Sequence, residues 1–380
     1  MGRTCTMSKY QITLTPVDKF FFGGDMTFTV GLKETKKKWD ELTEREKKEI
    51  GFNTQYSSYI IQSSMFPQQT SLLGMLRFLI LRNAGEDVFK DGQIVNKARA
   101  KELIGERSFM VNNDNDFKAI KSLNHVRIRK TANGQTSDLE FAPLFKELSF
   151  TDASVGSYNL SDICIPSVSK DDYDAKKGLE VMLMDGKDKY KLEDVFLEDR
   201  RVGINRDIKT GIVDDGALFK QISYRFSNKE ANYCFVFDAE IDDTIPFETY
   251  GGQVVSVGGD NSQFVIGISK EGKTNGNLKP YEKAVWLLSP AFLTRAEART
   301  AKFAVTRLMP FRFLTDREDN RENDNRTFHI LNSKLKRSER YELYAPGSVF
   351  YFETEEQKQD FINVLESKNE FRQIGYNEYK

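Results

Sequence analysis

Residues Ser63 to Arg82, reading S-S-M-F-P-Q-Q-T-S-L-L-G-M-L-R-F-L-I-L-R, constrain the fold more than any other stretch of the chain. From Ser71 to Leu81 the run is almost wholly apolar, with Gly74 in its middle and Arg77 interrupting the apolar face. It is long enough for a buried helix and too short to cross a bilayer core of about 30 Å. A core helix of a folded domain is the expectation. Gly74 in mid-helix costs roughly 1 kcal/mol against Ala, so tight packing against a neighbour is expected there. Pro67, Gln68, Gln69, Thr70 and Ser71 form a polar lead-in. With Thr70 or Ser71 as N-cap, the first free N–H groups face a corner suited to an anion.

The rest of the chain sets the scale. At 380 residues it has room for two domains, on a prior of roughly 150 residues each. Charged residues are 30%, but 56 Lys and Arg balance 57 Asp and Glu, so no global field draws nucleic acid and any such surface has to be local. Cys5, Cys164 and Cys234 lie far apart without C-x-x-C spacing, which excludes a zinc ribbon and a disulfide framework and fits a reducing cytoplasm. No apolar run reaches membrane length, and no signal-peptide core is present at the start. Gly2 and Thr6 have the formal spacing of a myristoylation signal. Strand-like alternation begins only near Tyr10, so residues 1–9 are expected to be an extension ahead of an alternative start at Met7.

Along the chain, Gln11 to Phe22 reads as a strand that exits through a triple Phe and turns at Gly23-Gly24. Lys33 to Glu49 reads as a solvated helix of mixed charge, and Lys97 to Ile104 as another short helix. In S-L-N-H-V-R-I-R-K-T-A-N-G-Q-T-S-D-L-E-F (Ser122 to Phe141), His125, Arg127 and Arg129 share one strand face. Asn133-Gly134 is a hairpin turn signal. Lys118 to Lys130 carries five Lys or Arg and no acid, which predicts a hairpin with an unopposed basic face, or else an edge strand guarded by charge. Ser154 to Lys191 reads as loop. Ala231 to Ile241 and Ala284 to Leu288 read as strands, Gln253 to Ile268 as a hairpin broken at Gly258-Gly259, and Tyr341 to Phe352 as a strand. Thr354 and Gln357 make a capping box for a last helix to Ser367. Between Arg299 and Arg340 eleven basic residues meet six acids, with low order expected from Asp316 to Asn325.

The chemistry of the chain points to binding. Gly-Gly-Asp occurs at Gly23-Gly24-Asp25 and at Gly258-Gly259-Asp260, but a two-metal phosphoryl-transfer site needs a second carboxylate beside the first. The next residues are Met26 and Asn261, so both tripeptides are expected to be hairpin turns. His125 and His329 are the only histidines. Paired-histidine acid–base chemistry would need both in one site, and each is expected to be a surface or hydrogen-bonding residue. There is no phosphate loop, no H-E-x-x-H and no G-x-S-x-G. What remains is Arg201, Asn205, Arg206 and Lys209 around Gly203 and Gly211, where backbone could approach phosphate while side chains pair with it. The 29 Phe and 15 Tyr offer stacking surfaces of the kind that read single-stranded RNA.

Four stretches carry a resemblance. F-P-Q-Q-T-S-L-L-G-M-L-R resembles the first-helix signature of the RAMP-type subunits of CRISPR effector complexes, and L-T-P-V-D-K-F-F-F-G-G-D-M-T-F (Leu14 to Phe28) resembles their opening strand. R-V-G-I-N-R-D-I-K-T-G-I-V-D-D-G-A-L-F (Arg201 to Phe219) is similar to their central motif, and A-P-G-S-V-F-Y-F (Ala345 to Phe352) to their last strand. In spacing and order the set is similar to the third-subunit family of the type III-B (Cmr) complex. That resemblance implies an α+β fold of two ferredoxin-like (RRM-like) domains with insertions, at residues 10–185 and 186–380. It implies a non-catalytic, cytoplasmic subunit without metal or cofactor. Such a subunit grips the 5′ handle of the guide RNA and docks the large polymerase-like subunit and the backbone RAMP subunits, away from any membrane. The alternative is a repeat-RNA-processing endonuclease of the same superfamily. The candidate RNA-binding residues are Gln69, Thr70, Arg77, Arg127, Arg129, Lys130, Arg201, Asn205, Arg206 and Lys209. The family's glycine-rich C-terminal loop is reduced here to R-Q-I-G-Y-N-E-Y-K, with Gly375 its one glycine, which removes the usual basis for an RNA contact at that end.

Overall fold

A computed structural model describes residues 6–23, 26–28, 59–112, 115–144, 149–155, 158–167, 173–174, 178–186, 188–206, 213–270, 283–315 and 336–380. In chain order the elements used below begin with β1 (Met7–Pro16), β2 (Tyr59–Gln62), α1 (Gln69–Arg82) and α2 (Lys97–Ile104). There follow β3 (Ile120–Leu123), β4 (Arg127–Ala132), β5 (Gln135–Phe141), β6 (Met182–Met184) and β7 (Lys189–Lys191). The second half adds β8 (Phe196–Arg206), β9 (Val213–Phe226), β10 (Asn232–Asp242), β11 (Val254–Ser256) and β12 (Gln263–Lys270). The last are β13 (Ala284–Trp286), β14 (Phe303–Val305), β15 (Val349–Tyr351) and α3 (Glu355–Ser367). The class is α+β, as expected.

The main sheet has nine strands, in the order β7-β6-β5-β4-β10-β1-β12-β11, with β3 also paired to β10. Every neighbouring pair is antiparallel. Alternation assigns the faces: Ile12, Leu14, Ile128, Phe235, Phe237, Phe264 and Ile266 are buried on the side that meets α1. The sheet crosses the boundary expected at residue 185, because β1 lies between β10 and β12 and β4 lies beside β10. β1 starts at Met7, paired with Asp242, so residues 7–9 belong to the sheet rather than to an extension.

A second, smaller sheet runs β14-β15-β13. Residues 378–380 add to its β13 edge through Trp286 N–H to the Lys380 carbonyl and Lys380 N–H to the Trp286 carbonyl, both 2.8 Å. Its core is Val285, Leu287, Phe350 and Phe352 under Phe361 and Leu365 of α3. The Thr354 hydroxyl accepts from Gln357 N–H, as the capping-box reading has it, but the Gln357 side chain accepts from Glu353 N–H instead of Thr354. The expected strand Tyr341 to Phe352 is two strands, broken by a turn in which Gly347 has φ +87°.

α1 buries Leu72, Leu73, Met75, Leu76, Leu79, Ile80 and Leu81. Its N-cap is Gln68, without a side-chain bond, in place of Thr70 or Ser71. Gly74 is exposed with no atom near an added Cβ, so the expected tight packing there is absent among the described residues. The Ser154 to Lys191 stretch, expected as loop, contains Tyr158–Ser167, β6 and β7. The Gly, Ser and Asp clusters that suggested loop fall largely between these strands. The helix expected from Lys33 to Glu49 lies outside the described residues, as do residues 316–335 and with them His329. Among the described residues no helix is long and apolar enough to cross a membrane.

Candidate nucleic-acid interface

The central motif builds a long hairpin. The helical turn Leu192–Val195 leads into β8, and Ser227 N–H closes the root on the Val195 carbonyl at 2.8 Å. β8 and β9 pair without interruption from Phe196↔Phe226 to Ile204↔Leu218, and the next pair is Arg206↔Val213. Aromatic rings lock the root to the main sheet: Phe226 lies 4.9 Å from Phe235 and 5.4 Å from Phe20, and Phe196 5.4 Å from Phe66. Such ring pairs contribute about 0.5–1.5 kcal/mol each beyond burial. Gly203 sits inside β8, opposite Phe219, and is not part of a turn.

Residues directly opposite on paired strands share a face. Arg201 is opposite Gln221, and Leu197 is opposite Arg225, on one face. Val202 opposite Lys220 lies on the other. Lys19 pairs with Asp199 at 2.9 Å and Arg200 with Glu198 at 2.6 Å. Arg201, Lys220 and Arg225 have no acidic partner among the described residues, and both arginines are exposed. Arg201 and Arg225 stand about 14 Å apart along the strand direction, four residues of extended chain. That separation suits two phosphates of a strand about two nucleotides apart better than one small anion. Asn205 and Arg206 lie at the distal end of β8. Lys209 and Gly211 lie outside the described residues.

The other sequence candidates are placed elsewhere, in roles that correct the reading of them. Arg127 is only 3% exposed. Its Nη2 donates to Asp238 at 2.8 Å, and its Nε lies 3.7 Å from Asp138. Arg129 grips Asp138 with two bonds of 2.7 and 2.9 Å and donates to Gln11 Oε1 at 2.7 Å. The Asp138 hydrogen bond outweighs burial and raises the guanidinium pKa above its ordinary value. Lys130 donates to the Tyr190 hydroxyl at 3.2 Å and lies 4.3 Å from that ring's centre. The window from Lys118 to Lys130 has no acid of its own, yet the sheet supplies two. Asp138 sits opposite Arg129 across the Asn133-Gly134 turn, and Asp238 comes from β10. The hairpin itself forms as expected, with Asn133 at φ +50° and Gly134 at φ +75°.

On α1, Arg77 is buried, donates to the Gly105 carbonyl at 3.1 Å and lies over the Phe117 ring. Gln69 is buried and donates to the Asn124 carbonyl at 2.8 Å. The corner expected to hold an anion is filled from within: the buried Tyr376 phenol accepts from the backbone N–H groups of Gln69 and Thr70. Burial pushes the Tyr376 pKa well above its ordinary value despite those two donors. Gly375 makes this possible. It holds φ +82°, and an added Cβ would overlap Gln69 Nε2 and the Asn124 carbonyl. Thr70 alone of the three α1 candidates is partly exposed.

The C-terminal segment was the part of this arrangement that residue-by-residue reading missed. His125, read as a surface or hydrogen-bonding residue, is buried, with Nδ1 2.6 Å from Glu378, and Lys380 bonds Glu140 at 3.0 Å. The available signal was R-Q-I-G-Y-N, a glycine and an asparagine (Asn377, φ +58°) flanking one aromatic residue. Gly258-Gly259-Asp260 is a hairpin turn between β11 and β12, with Gly258 at φ +87° against the Phe21 carbonyl. Asp260 there accepts from Gln221 at 3.0 Å. Burial pushes the Cys234 thiol up to about 11, which keeps it protonated and unreactive. Among the described residues no three His, Cys, Asp or Glu side chains cluster as metal ligands do.

A chain in a cryo-EM structure of the Type III-B Cmr-beta complex bound to cognate target RNA and AMPPnP is 12% identical, with a TM-score of 0.50 over 97% of this chain and 95% of that one. A second structure of Cmr-beta bound to cognate target RNA gives 13% identity and a TM-score of 0.48, over 98% and 96%. No curated protein matches. Residues 169–379 match the family model for the CRISPR-associated protein Cas_Cmr3. That span exceeds half of the chain and contains the entire β8/β9 hairpin, and on it the chain belongs to the Cas_Cmr3 family of CRISPR-associated proteins.

Proposed function

We propose that the protein is a non-catalytic RNA-binding subunit of a cytoplasmic type III-B Cmr effector, used in antiviral defence. In this reading the β8/β9 hairpin grips the 5′ handle of the guide RNA, and other surfaces dock the large polymerase-like subunit and the backbone RAMP subunits. The observation that carries it is the contrast between two sets of cations. Arg77, Arg127, Arg129 and Lys130 are engaged inside the protein, whereas Arg201, Lys220 and Arg225 on the β8/β9 hairpin have no acidic partner among the described residues. In a chain of net charge −1, the hairpin face that carries Arg201 and Arg225 is where phosphate would settle.

The strand orders support two ferredoxin-like units, a finer reading of the α+β class. Taking β1, β4, β10 and β12 as strands one to four, with α1 between the first two, the order is four-one-three-two. Taking β13, β14, β15 and residues 378–380 the same way, with α3 before the last, gives that order again. On this reading the units meet across residues 271–282 rather than at 185, and the hairpin β8/β9 belongs to an insertion in the first.

The test is RNA affinity of the isolated subunit. Arg201→Ala with Arg225→Ala should weaken binding of handle-bearing RNA and reduce the slope of log affinity against log salt by about 1.4, at about 0.7 per phosphate contact for single strands. The thermal midpoint should stay at the parent value, since neither side chain has an acidic partner among the described residues. An unchanged slope would remove the hairpin from the interface. Incubation with labelled repeat RNA should yield no cleavage, and robust metal-independent cleavage by the purified protein would replace this reading with the endonuclease.

A further inference from the structure

Among the described residues, none covers the outward face of the main sheet at its β11 edge. Val254 and Val265 face one another across β11 and β12, and Thr15 of β1 completes the row. In the next row Ser256 pairs with Gln263, whose carbonyl accepts from Val17 N–H. All six residues are exposed, with Val17, Val254 and Val265 at 58%, 45% and 40%. None is charged, in a chain where 30% of residues are charged. The opposite edge is different: β7 presents exposed Lys189 and Lys191 to solvent, the usual guard of a free strand. At the β11 edge one backbone carbonyl is already taken, because Arg82 donates to the Val254 carbonyl at 3.0 Å. Addition of a strand there is thus disfavoured, and the face itself is what remains.

We propose that this valine face is a docking surface for another protein subunit, which presents aliphatic side chains to it. The inference rests on the reading of the chain as part of a multi-subunit effector. Charge decides the occupant. Asp18 and Asp260 stand at the Val17 end of the face, and Lys9 lies on β1 beyond its other end; neither Asp18 nor Lys9 has a partner among the described residues. RNA finds no cation among the valines to neutralise phosphate, no exposed ring to stack on, and two carboxylates to repel it. A charged protein surface would leave its charges desolvated over Val254 and Val265. The surface that fits is an uncharged helix or strand face with a basic residue placed to meet Asp18 and Asp260. β-branched side chains on a twisted sheet are stiff, so little side-chain entropy is lost when they are covered.

The experiment is reconstitution of the complex from its full set of subunits and guide RNA, with the double variant Val254→Glu, Val265→Glu. Its incorporation should fall by about 30-fold or more, the usual effect of forcing unpaired charge into an interface. Val265→Thr, of the same shape, should assemble like the parent. Val17→Glu, placed just beyond β1 where the fold does not depend on it, repeats the test should the double variant fail to fold. Normal incorporation of Val17→Glu and of a folded double variant overturns the proposal. So does protection of these valines by guide RNA in the absence of other subunits. Guide-RNA affinity of each isolated variant should stay within about twofold of the parent, because no phosphate contact is removed. That readout separates the two ideas: if Arg201→Ala with Arg225→Ala binds RNA normally while the valine variants drop out of the complex, the RNA reading fails and the docking face stands.

Discussion

Arg127→Ala is expected to destabilise the protein by about 3 kcal/mol or more, the usual cost of removing one partner of a buried ion pair. Arg127 lies at 3% exposure on β4, and it is the ion partner of Asp238 on β10 and the closest cation to Asp138 after Arg129. Without it Asp238 keeps its desolvation cost and loses the charge that offset it. Replacing both members by apolar residues of similar combined volume, Arg127→Met with Asp238→Val, should recover most of the loss, since a buried pair and a well-packed apolar pair are often close in stability. Denaturant midpoints of the three variants measure this. Full stability in Arg127→Ala with weakened RNA binding would return Arg127 to the interface that its sequence context suggested.

Gly375→Ala should be comparably disruptive, by about 3 kcal/mol. Two effects add. A side chain at φ +82° costs roughly 1–2 kcal/mol, and overpacking a closed site costs typically 1–3. The overlapping Asn124 carbonyl is backbone and cannot move aside cheaply. Strain there would lift Tyr376 away from the start of α1, so the Gln69 and Thr70 amides should exchange with solvent far faster than in the parent. Tyr376→Phe separates the parts: it keeps the backbone and removes only the acceptor, and should cost about 1–3 kcal/mol, the penalty of leaving buried donors unmade. If both variants melt with the parent, the C-terminal segment is not what holds the helix start.

The pattern of success in the sequence reading has a physical cause. Local signals survived: the apolar period of α1, the Asn133-Gly134 turn, the short helix Lys97–Ile104, and the alternation of Tyr233, Phe235 and Phe237 all fold as their neighbours in sequence dictate. Non-local pairing did not show. Arg129 and Asp138 are nine residues apart and meet only because the hairpin register places them opposite, and Arg127 meets Asp238 at a separation of 111. A charge count over Lys118 to Lys130 is blind to both. The division at residue 185 failed to separate the sheets for the same reason, since β1 is held between two strands from the far half. Arg201 was legible as an exposed cation because β8 and β9 carry their own neighbours with them. The helix-start corner was misjudged because its occupant, Tyr376, lies more than three hundred residues downstream.

Photo-cross-linking of the isolated subunit to handle-bearing guide RNA, followed by mapping of the modified peptides, tests the central claim most directly. The account predicts adducts on the hairpin strands Phe196–Arg206 and Val213–Phe226, lost in Arg201→Ala with Arg225→Ala and reduced by salt. Adducts confined to Arg127–Ala132, or none on the hairpin at RNA concentrations that saturate binding, would contradict it.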